Sequence, residues 1–185
     1  LTFLTAPDSG ERKLPLRQTF QTVVLFADVS GFTAMCETLA ATEGGDETLA
    51  KHLNSYFELL TRIMSSQGGD VFKFAGDAIL VLWPHNEEED LTTMTRRAAQ
   101  CALEISEKLQ DAVMADGVRL SVKVGVGAGE CTILHIGGVN GRVEYLAIGE
   151  PLIQAFTAEH QATKREVVVS PAAWKLIEKY FEAEV

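Results

Sequence analysis

Two aspartates in this sequence each stand at the end of an apolar segment and beside a glycine turn. Asp28 follows the apolar residues 23–27, and Asp77 directly follows Gly76. A buried carboxylate is costly unless a cation compensates it, and two converging carboxylates repel each other unless a divalent ion lies between them. Because hard oxygen ligands favour Mg²⁺, Mn²⁺ or Ca²⁺ over zinc, we predict that Asp28 and Asp77 form a divalent-metal site.

A phosphate-binding segment is predicted directly after the first aspartate. Gly31, Phe32 and Thr33 open an amphipathic stretch, and Ser30 precedes them. At a helix start the backbone N–H groups lack intrahelical acceptors and can hold phosphate. A metal next to such amides indicates nucleotide chemistry. The alternative is ordinary turn chemistry, since Asp before Ser-Gly and Gly-Asp at a hairpin tip are both common.

The composition describes one soluble globular domain. The chain has 185 residues, of which 46% are hydrophobic and 23% are charged. A formal charge of −10, with no stripe of Lys and Arg, argues against binding a nucleic-acid polymer through its phosphates. A single nucleotide stays compatible, because one metal ion and a few amides can neutralise a triphosphate locally.

The cysteines and the hydropathy pattern indicate a cytoplasmic setting. Cys36, Cys101 and Cys131 lie far apart in apolar periodic segments, which favours reduced, packed thiols over a redox or nucleophilic role. No signal peptide is recognisable, and no apolar run approaches the roughly 20 residues needed to cross a bilayer. We therefore expect no direct membrane insertion.

Periodicity predicts an alternating order of strands and helices. Residues 1–20 form a flanking arm, and the domain proper comprises residues 21–185. Strands are predicted at about 22–28, 71–75, 78–83, 120–126, 131–135, 143–145 and 167–169. Helices are predicted at about 33–66 with a break at Gly44-Gly45, from the acidic run 87–90 to about 114, and from Pro151 and Pro171. This order indicates an α+β fold with a ferredoxin-like core, a mainly antiparallel sheet and flanking helices.

With the motifs placed, the chain resembles the catalytic domain of the class III nucleotidyl cyclases, and within that family the first catalytic half of the soluble, bicarbonate-responsive adenylyl cyclases. The resemblance covers about residues 20–181. Its most specific stretches are residues 26–35, 68–78, 123–129, 145–149 and 170–171.

The resemblance implies a metal-dependent cyclisation of ATP. Asp28 and Asp77 would hold two Mg²⁺ or Mn²⁺ ions, with the Val29 carbonyl as a further ligand, and the amides of Gly31, Phe32 and Thr33 would contact the triphosphate. One ion would lower the pKa of the ribose 3′-hydroxyl and the other would neutralise the departing pyrophosphate. The product would be 3′,5′-cyclic AMP.

The resemblance also implies a second catalytic domain, in the same polypeptide or in a homo- or heterodimer. In this family the site lies between two domains, and the partner supplies the transition-state asparagine and arginine. Here those positions fall on Ile153 and Thr157, which lack the needed donors. Losing such donors costs on the order of several kcal/mol of barrier, so a homodimer should be a poor cyclase.

A further pocket is implied around Lys73 and Glu150. Lys73 occupies the position of the base-reading lysine of homodimeric relatives, and Glu150 that of their adenine-reading aspartate. In the soluble enzymes' first half this lysine belongs to a pocket that holds bicarbonate, but the arginine of that pocket falls on Phe156 here. The alternative for Lys73 is a solvent-facing lysine on an edge strand.

The first hypothesis is therefore the metal-binding half of an adenylyl cyclase. The alternative is a catalytically silent pseudo-cyclase domain that acts as a dimerisation or anion-sensing module. Two retained, mutually repelling carboxylates favour the first. A receiver domain phosphorylated on Asp28 fits poorly, because receivers need a doubly wound parallel sheet.

Overall fold

The structure is a computed structural model that describes residues 15–42, 44–84, 89–109, 120–137 and 143–184. In this part of the chain one six-stranded sheet is flanked by helices. The strands are β1 (Leu16–Ser30), β2 (Asp70–Ala75), β3 (Ala78–Pro84), β4 (Ser121–Gly137), β5 (Val143–Gly149) and β6 (Val167–Val169). The helices are α1 (Phe32–Ala40), α2 (Gly45–Ser66), α3 (Leu91–Leu109), α4 (Glu150–Gln161) and α5 (Pro171–Ile177).

The sheet has the order β2-β3-β1-β4-β5, and its neighbours along that path pair antiparallel. β6 pairs with β4 in parallel. The first four strands have the spatial order β2-β3-β1-β4, which is the order of a ferredoxin-like βαββαβ unit. The predicted α+β class with a mainly antiparallel sheet is confirmed.

The first strand is longer than the sequence analysis predicted. β1 begins at Leu16, so residues 16–20, which were assigned to the flanking arm, belong to the sheet. They alternate between half-buried and exposed positions, and they pair with the second half of β4, from Leu16 opposite His135 to Phe20 opposite Cys131. The prediction relied on the continuous apolar run at residues 23–27. Residues 16–20 alternate in burial and contain no such run. Residues 1–14 of the predicted arm lie outside the described residues.

The helix predictions agree with the structure at their starts and breaks. The helical segment is interrupted between α1 and α2, and Gly44 lies at this interruption, as predicted. α3 begins directly after Asp90, whose carboxylate accepts a hydrogen bond from the Thr93 N–H at 2.7 Å. That contact supports the interpretation of the acidic run as a helix cap. Glu87, Glu88 and the predicted helix end at 110–114 lie outside the described residues.

Two hydrophobic clusters lie on opposite faces of the sheet. The larger cluster joins the strands to α2 and α3, and the smaller one includes Leu152 and Ala155 of α4. α4 packs backbone to backbone on β4, because glycines occupy the contact. A Cβ at Gly125 would lie 2.0 Å from the Ala155 carbonyl oxygen, so no larger residue fits there without displacing the helix.

The cysteines are free thiols, as predicted, and two of them are buried. Burial raises the pKa of the Cys101 thiol to about 12. Burial likewise raises the pKa of Cys131. Thiols that ionise this reluctantly are poor nucleophiles at neutral pH.

In the described part of the chain, no helix is both long and apolar enough to cross a lipid bilayer.

Candidate active site

The topology brings the two predicted metal-binding aspartates to the same edge of the sheet. Asp28 lies near the end of β1, opposite Ala78 of β3. Asp77 directly precedes Ala78, in the two-residue turn that joins β2 to β3. Because β1 and β3 are hydrogen-bonded neighbours, residues that are 49 positions apart in the chain become neighbours in space.

The two carboxylates influence each other electrostatically. The pKa of Asp28 is raised above its usual value, first by burial and then by the charge of Asp77. The Asp28 side chain is 32% exposed, so solvent screens this repulsion only in part. The buried Tyr56 hydroxyl has no hydrogen-bond partner within the described residues, and its pKa is raised by burial and by both aspartates. The site therefore carries an excess of negative charge that a cation would relieve.

A lysine and a glutamate complete the charged group around Asp28. Lys123 stands directly opposite Asp28 in the pairing of β1 with β4, and its Nζ lies 3.8 Å from Asp28 Oδ2. The same Nζ lies 2.5 Å from Oε1 of Glu159 on α4. The hydrogen bond to Glu159 raises the pKa of Lys123. The charge of Lys123 lowers the pKa of Asp28, but burial and Asp77 outweigh it.

Sequence reasoning did not identify Lys123 and Glu159 as site residues. Lys123 occupies a polar position in the alternating strand at 120–126, where an ordinary surface charge would also stand, so the sequence did not single it out. Glu159 had a weaker signal, because an acidic residue near a helix end is common on surfaces. Only the packing of α4 on β4 places its carboxylate inside.

The predicted phosphate-binding segment begins a helix whose first turn lacks a side-chain cap. Gly31 adopts a left-handed conformation with φ 98°, which favours glycine at this position. No side chain caps α1, and the first main-chain bond runs from the Met35 N–H to the Gly31 carbonyl at 3.0 Å. The earlier amides of α1, at Phe32 and Thr33, are thus positioned to accept an anion. Ser30 ends β1 next to Gly31.

The remaining predicted residues occupy separate positions. Val29 is buried on β1 and pairs with Val122, so its main chain lies beside the Asp28 site. Lys73 is exposed on the edge strand β2, and Glu150 is exposed at the start of α4. Neither is among the charged groups that shift the pKa of Asp28.

The donor set fits a hard divalent cation that takes few protein ligands. Among the described residues, no three His, Cys, Asp or Glu side chains come together as a group that could hold a metal ion. Asp28 and Asp77 offer carboxylate oxygens, the type of ligand that hard divalent cations prefer. This suits Mg²⁺, which binds through one or two carboxylates, substrate phosphates and water.

Two exposed apolar side chains of α4 lie near the site. We call Ile153 and Phe156, which are 61% and 41% exposed, the α4 patch; Leu146 and Ile148 are also exposed, but they lie on the other face of β5 from Tyr145 and Ala147, which pack with α4. The Phe156 ring packs edge-on against Phe26 at 4.6 Å between centroids, and Phe26 lies on β1 near Asp28. Exposed apolar clusters of this kind mark interaction surfaces.

Solved structures share this fold. The adenylyl cyclase CyaB from P. aeruginosa superposes with a TM-score of 0.75 at 24% identity, over 89% of this chain and 84% of that one. The guanylate cyclase domain of RhGC from Catenaria anguillulae, in complex with GTP, gives a TM-score of 0.73 at 20% identity, over 89% and 86% of the two chains. The chain therefore has the fold of nucleotide cyclase catalytic domains.

Sequence comparison identifies the family. The profile of the family described as "Adenylate and Guanylate cyclase catalytic domain" matches residues 15–185, and the chain belongs to that family. Among curated proteins, it is 33% identical over 168 residues to adenylate cyclase type 10 of Rattus norvegicus, and 32% identical over 168 residues to the same protein of Homo sapiens. The matches cover 89% of this chain and 10% of each relative, so the chain spans about a tenth of their length. The resemblance seen in the sequence is confirmed.

The electrostatics of the pair predict a stability change. We expect Asp77→Asn to raise the melting temperature of the metal-free chain at pH 7 by about 2–4 °C. The substitution removes a charge that raises the pKa of Asp28. A carboxyl group whose pKa is raised on folding contributes stability that is complete below its unfolded pKa and is lost as pH rises through the folded pKa. The gain should therefore shrink as the pH falls through the raised pKa of Asp28, where that carboxyl group becomes protonated.

Thermal unfolding with and without millimolar Mn²⁺ checks this prediction. The cation should raise the melting temperature of the wild-type chain and have a smaller effect on Asp77→Asn, because ligands that bind only the folded state stabilise it. Asp46→Asn, which changes an exposed carboxylate of α2, is the control and should behave as wild type. A lower melting temperature for metal-free Asp77→Asn would contradict the repulsion that we infer.

Proposed function

We propose that this chain is the metal-binding half of an adenylyl cyclase, which converts ATP to 3′,5′-cyclic AMP and pyrophosphate together with a second catalytic domain. The observation that carries the proposal is the pairing of Asp28 and Asp77 at one edge of a cyclase fold. Identity of 33% to a protein named adenylate cyclase type 10 supports ATP as the substrate. We place the reaction in the cytoplasm, where the unpaired thiols stay reduced.

In this proposal Asp28, Asp77 and the Val29 carbonyl hold two Mg²⁺ or Mn²⁺ ions. When bound, divalent ions in such a site lower the pKa of an attacking hydroxyl and neutralise charge on a leaving phosphate. The residues of the chain supply the oxygen ligands and the orientation. Burial, and after it the charge of Asp77, raises the pKa of Asp28, and this supports the role because a cation at the pair would favour the charged carboxylate.

The triphosphate is held by the uncapped start of α1 and by Lys123. The amides of Gly31, Phe32 and Thr33 supply neutral donors beside Ser30. The Lys123 ammonium lies 3.8 Å from Asp28, so a phosphate bound beside Asp28 would come within its reach. The positive charge of Lys123 matters because the chain has a net charge of −10, which would otherwise repel a nucleotide.

The second catalytic domain docks on the α4 patch. Ile153 and Thr157 are exposed on α4, and neither supplies the donors that stabilise charge on a phosphate in the transition state. A partner that brings an asparagine and an arginine would complete the site of Asp28 and Asp77. Lys73 and Glu150 then face a second pocket between the domains, which reads a base or holds an anion.

A pseudo-cyclase module is the second candidate. The observation that favours it is the exposed apolar surface that Ile153 and Phe156 form on α4. Under this alternative the domain would dimerise through the α4 patch. It would form no product, even when mixed with a complementary catalytic domain.

The two candidates are separated by one assay. The chain is incubated with ATP or GTP and Mg²⁺ or Mn²⁺, alone and mixed with catalytic domains that carry an asparagine and an arginine at the positions of Ile153 and Thr157. The proposal predicts cyclic AMP from the mixture and little from either component. A complex that forms in the mixture without any product would favour the pseudo-cyclase.

A further inference from the structure

Glu159 is a buried carboxylate on α4, on the same helix as the buried residues Leu152, Ala155 and Ala158. Its side chain is 10% exposed, and its Oε1 lies 2.5 Å from Lys123 Nζ. The close approach of α4 to β4 accounts for this burial, because a Cβ at Gly125 would come within 2.4 Å of the Glu159 main-chain nitrogen. Burying a carboxylate is costly, so a paired and buried glutamate calls for a physical reason.

We propose that Glu159 is a positioning residue that holds the Lys123 ammonium where it meets the phosphates of the substrate. The inference rests on the proposed function, since it assigns a role at the same site. Glu159 itself does not touch the substrate. It acts through Lys123, which lies between its carboxylate and Asp28.

The geometry around Lys123 indicates that Glu159 holds the ammonium in place without keeping it from phosphate. An ammonium has three donors, and Glu159 accepts from one of them. At 3.8 Å, Asp28 is too distant to accept a direct hydrogen bond, so the other donors stay available on the side of the metal site. A lysine side chain loses conformational entropy when it is fixed, and a lysine that is already anchored loses less of it on binding phosphate.

The charge balance of the site also requires this arrangement. The Lys123 ammonium lies between two carboxylates, Asp28 and Glu159, and besides burial the charges of Asp77 and Glu159 each raise the pKa of Asp28. Without Glu159, the lysine would be drawn toward Asp28, where it would compete with a cation for that carboxylate. With Glu159 in place, the ammonium stays beside Asp28 and leaves its oxygens to the metal.

A double-mutant cycle on the whole chain tests the inference. The probe is Mn²⁺ with inorganic tripolyphosphate, whose binding is measured by calorimetry, so that neither a base nor a partner domain is needed. The four proteins are wild type, Glu159→Met, Lys123→Ala and the double variant. Methionine keeps most of the volume of glutamate, and thermal unfolding checks that each protein is folded.

We expect Glu159→Met to weaken binding of the probe by about tenfold, and to cause no weakening when Lys123 is already alanine. Glu159→Gln should stay within about threefold of wild type, because its amide oxygen still accepts a hydrogen bond from the ammonium. Glu130→Ala, which removes an exposed carboxylate from the same strand as Lys123, is the control and should bind as wild type does.

Two results would overturn the inference alone. One is equal weakening by Glu159→Met in both backgrounds, which would mean that Glu159 has a merely structural role. The other is tighter binding by Glu159→Met, which would mean that Glu159 withholds the lysine. No binding of the probe by the folded wild-type chain is a different result, which would overturn the proposed function and this inference with it.

Discussion

Asp28→Ala and Asp77→Ala are each expected to reduce cyclic AMP formation by the mixed catalytic domains by at least about 1000-fold. Each substitution removes one of the two carboxylates that converge at the ends of β1 and the β2–β3 turn. The remaining carboxylate cannot share divalent ions alone, so both hydroxyl activation and leaving-group neutralisation would fail. The rate is measured with saturating ATP and Mn²⁺.

The double variant should be no slower than the slower single variant, because residues that act as one unit are not additive. Asp46→Ala serves as the control, since Asp46 is an exposed carboxylate in the first turn of α2. The rates of all variants are compared at equal concentrations of folded protein, which is measured by circular dichroism. If either single variant kept a tenth or more of the wild-type rate, the pair would not be the metal site.

Restoring donors to α4 should have the next largest effect, and in the opposite direction. Ile153→Asn combined with Thr157→Arg is expected to raise cyclic AMP formation by the chain alone by about 100-fold or more, because one transition-state donor is worth about 10²–10³ in rate. Both residues are exposed on α4, so the fold should accept the changes. Two copies of the variant would then supply metal ligands and donors to each other.

The matched control for this variant is Ile153→Ala with Thr157→Ala, which changes size at the same positions without adding a donor. We expect this control variant, assayed alone, to form cyclic AMP no faster than the wild-type chain alone. The account would be contradicted if the wild-type chain alone were as active as the mixture, because Ile153 and Thr157 would then not limit the reaction.

Much of the fold follows from local sequence. The glycine break between α1 and α2, the tip of the β2–β3 hairpin and the cap at Asp90 each depend on residues within a few positions of one another. Local patterns of this kind are visible without a structure. The position of the aspartate pair was also predictable, since both carboxylates lie where apolar strands end.

What the sequence did not predict depends on contacts between distant segments. The first residues of β1 mix polar and apolar side chains, and they become a strand only because β4 extends far enough to pair with them. Lys123 and Glu159 are 36 positions apart, and they meet only because glycines allow α4 to approach β4. Neither residue has a local pattern that distinguishes it from an ordinary surface charge.

The central claim is that Asp28 and Asp77 share divalent cations beside the start of α1. The most direct measurement is anomalous diffraction at the manganese absorption edge, from crystals of the chain grown with Mn²⁺ and a non-hydrolysable ATP analogue. The account predicts strong anomalous peaks between the two carboxylates, with analogue phosphates against the amides of Gly31 to Thr33. Peaks only at other acidic residues, or carboxylates that point away from each other with no peak between them, would contradict it.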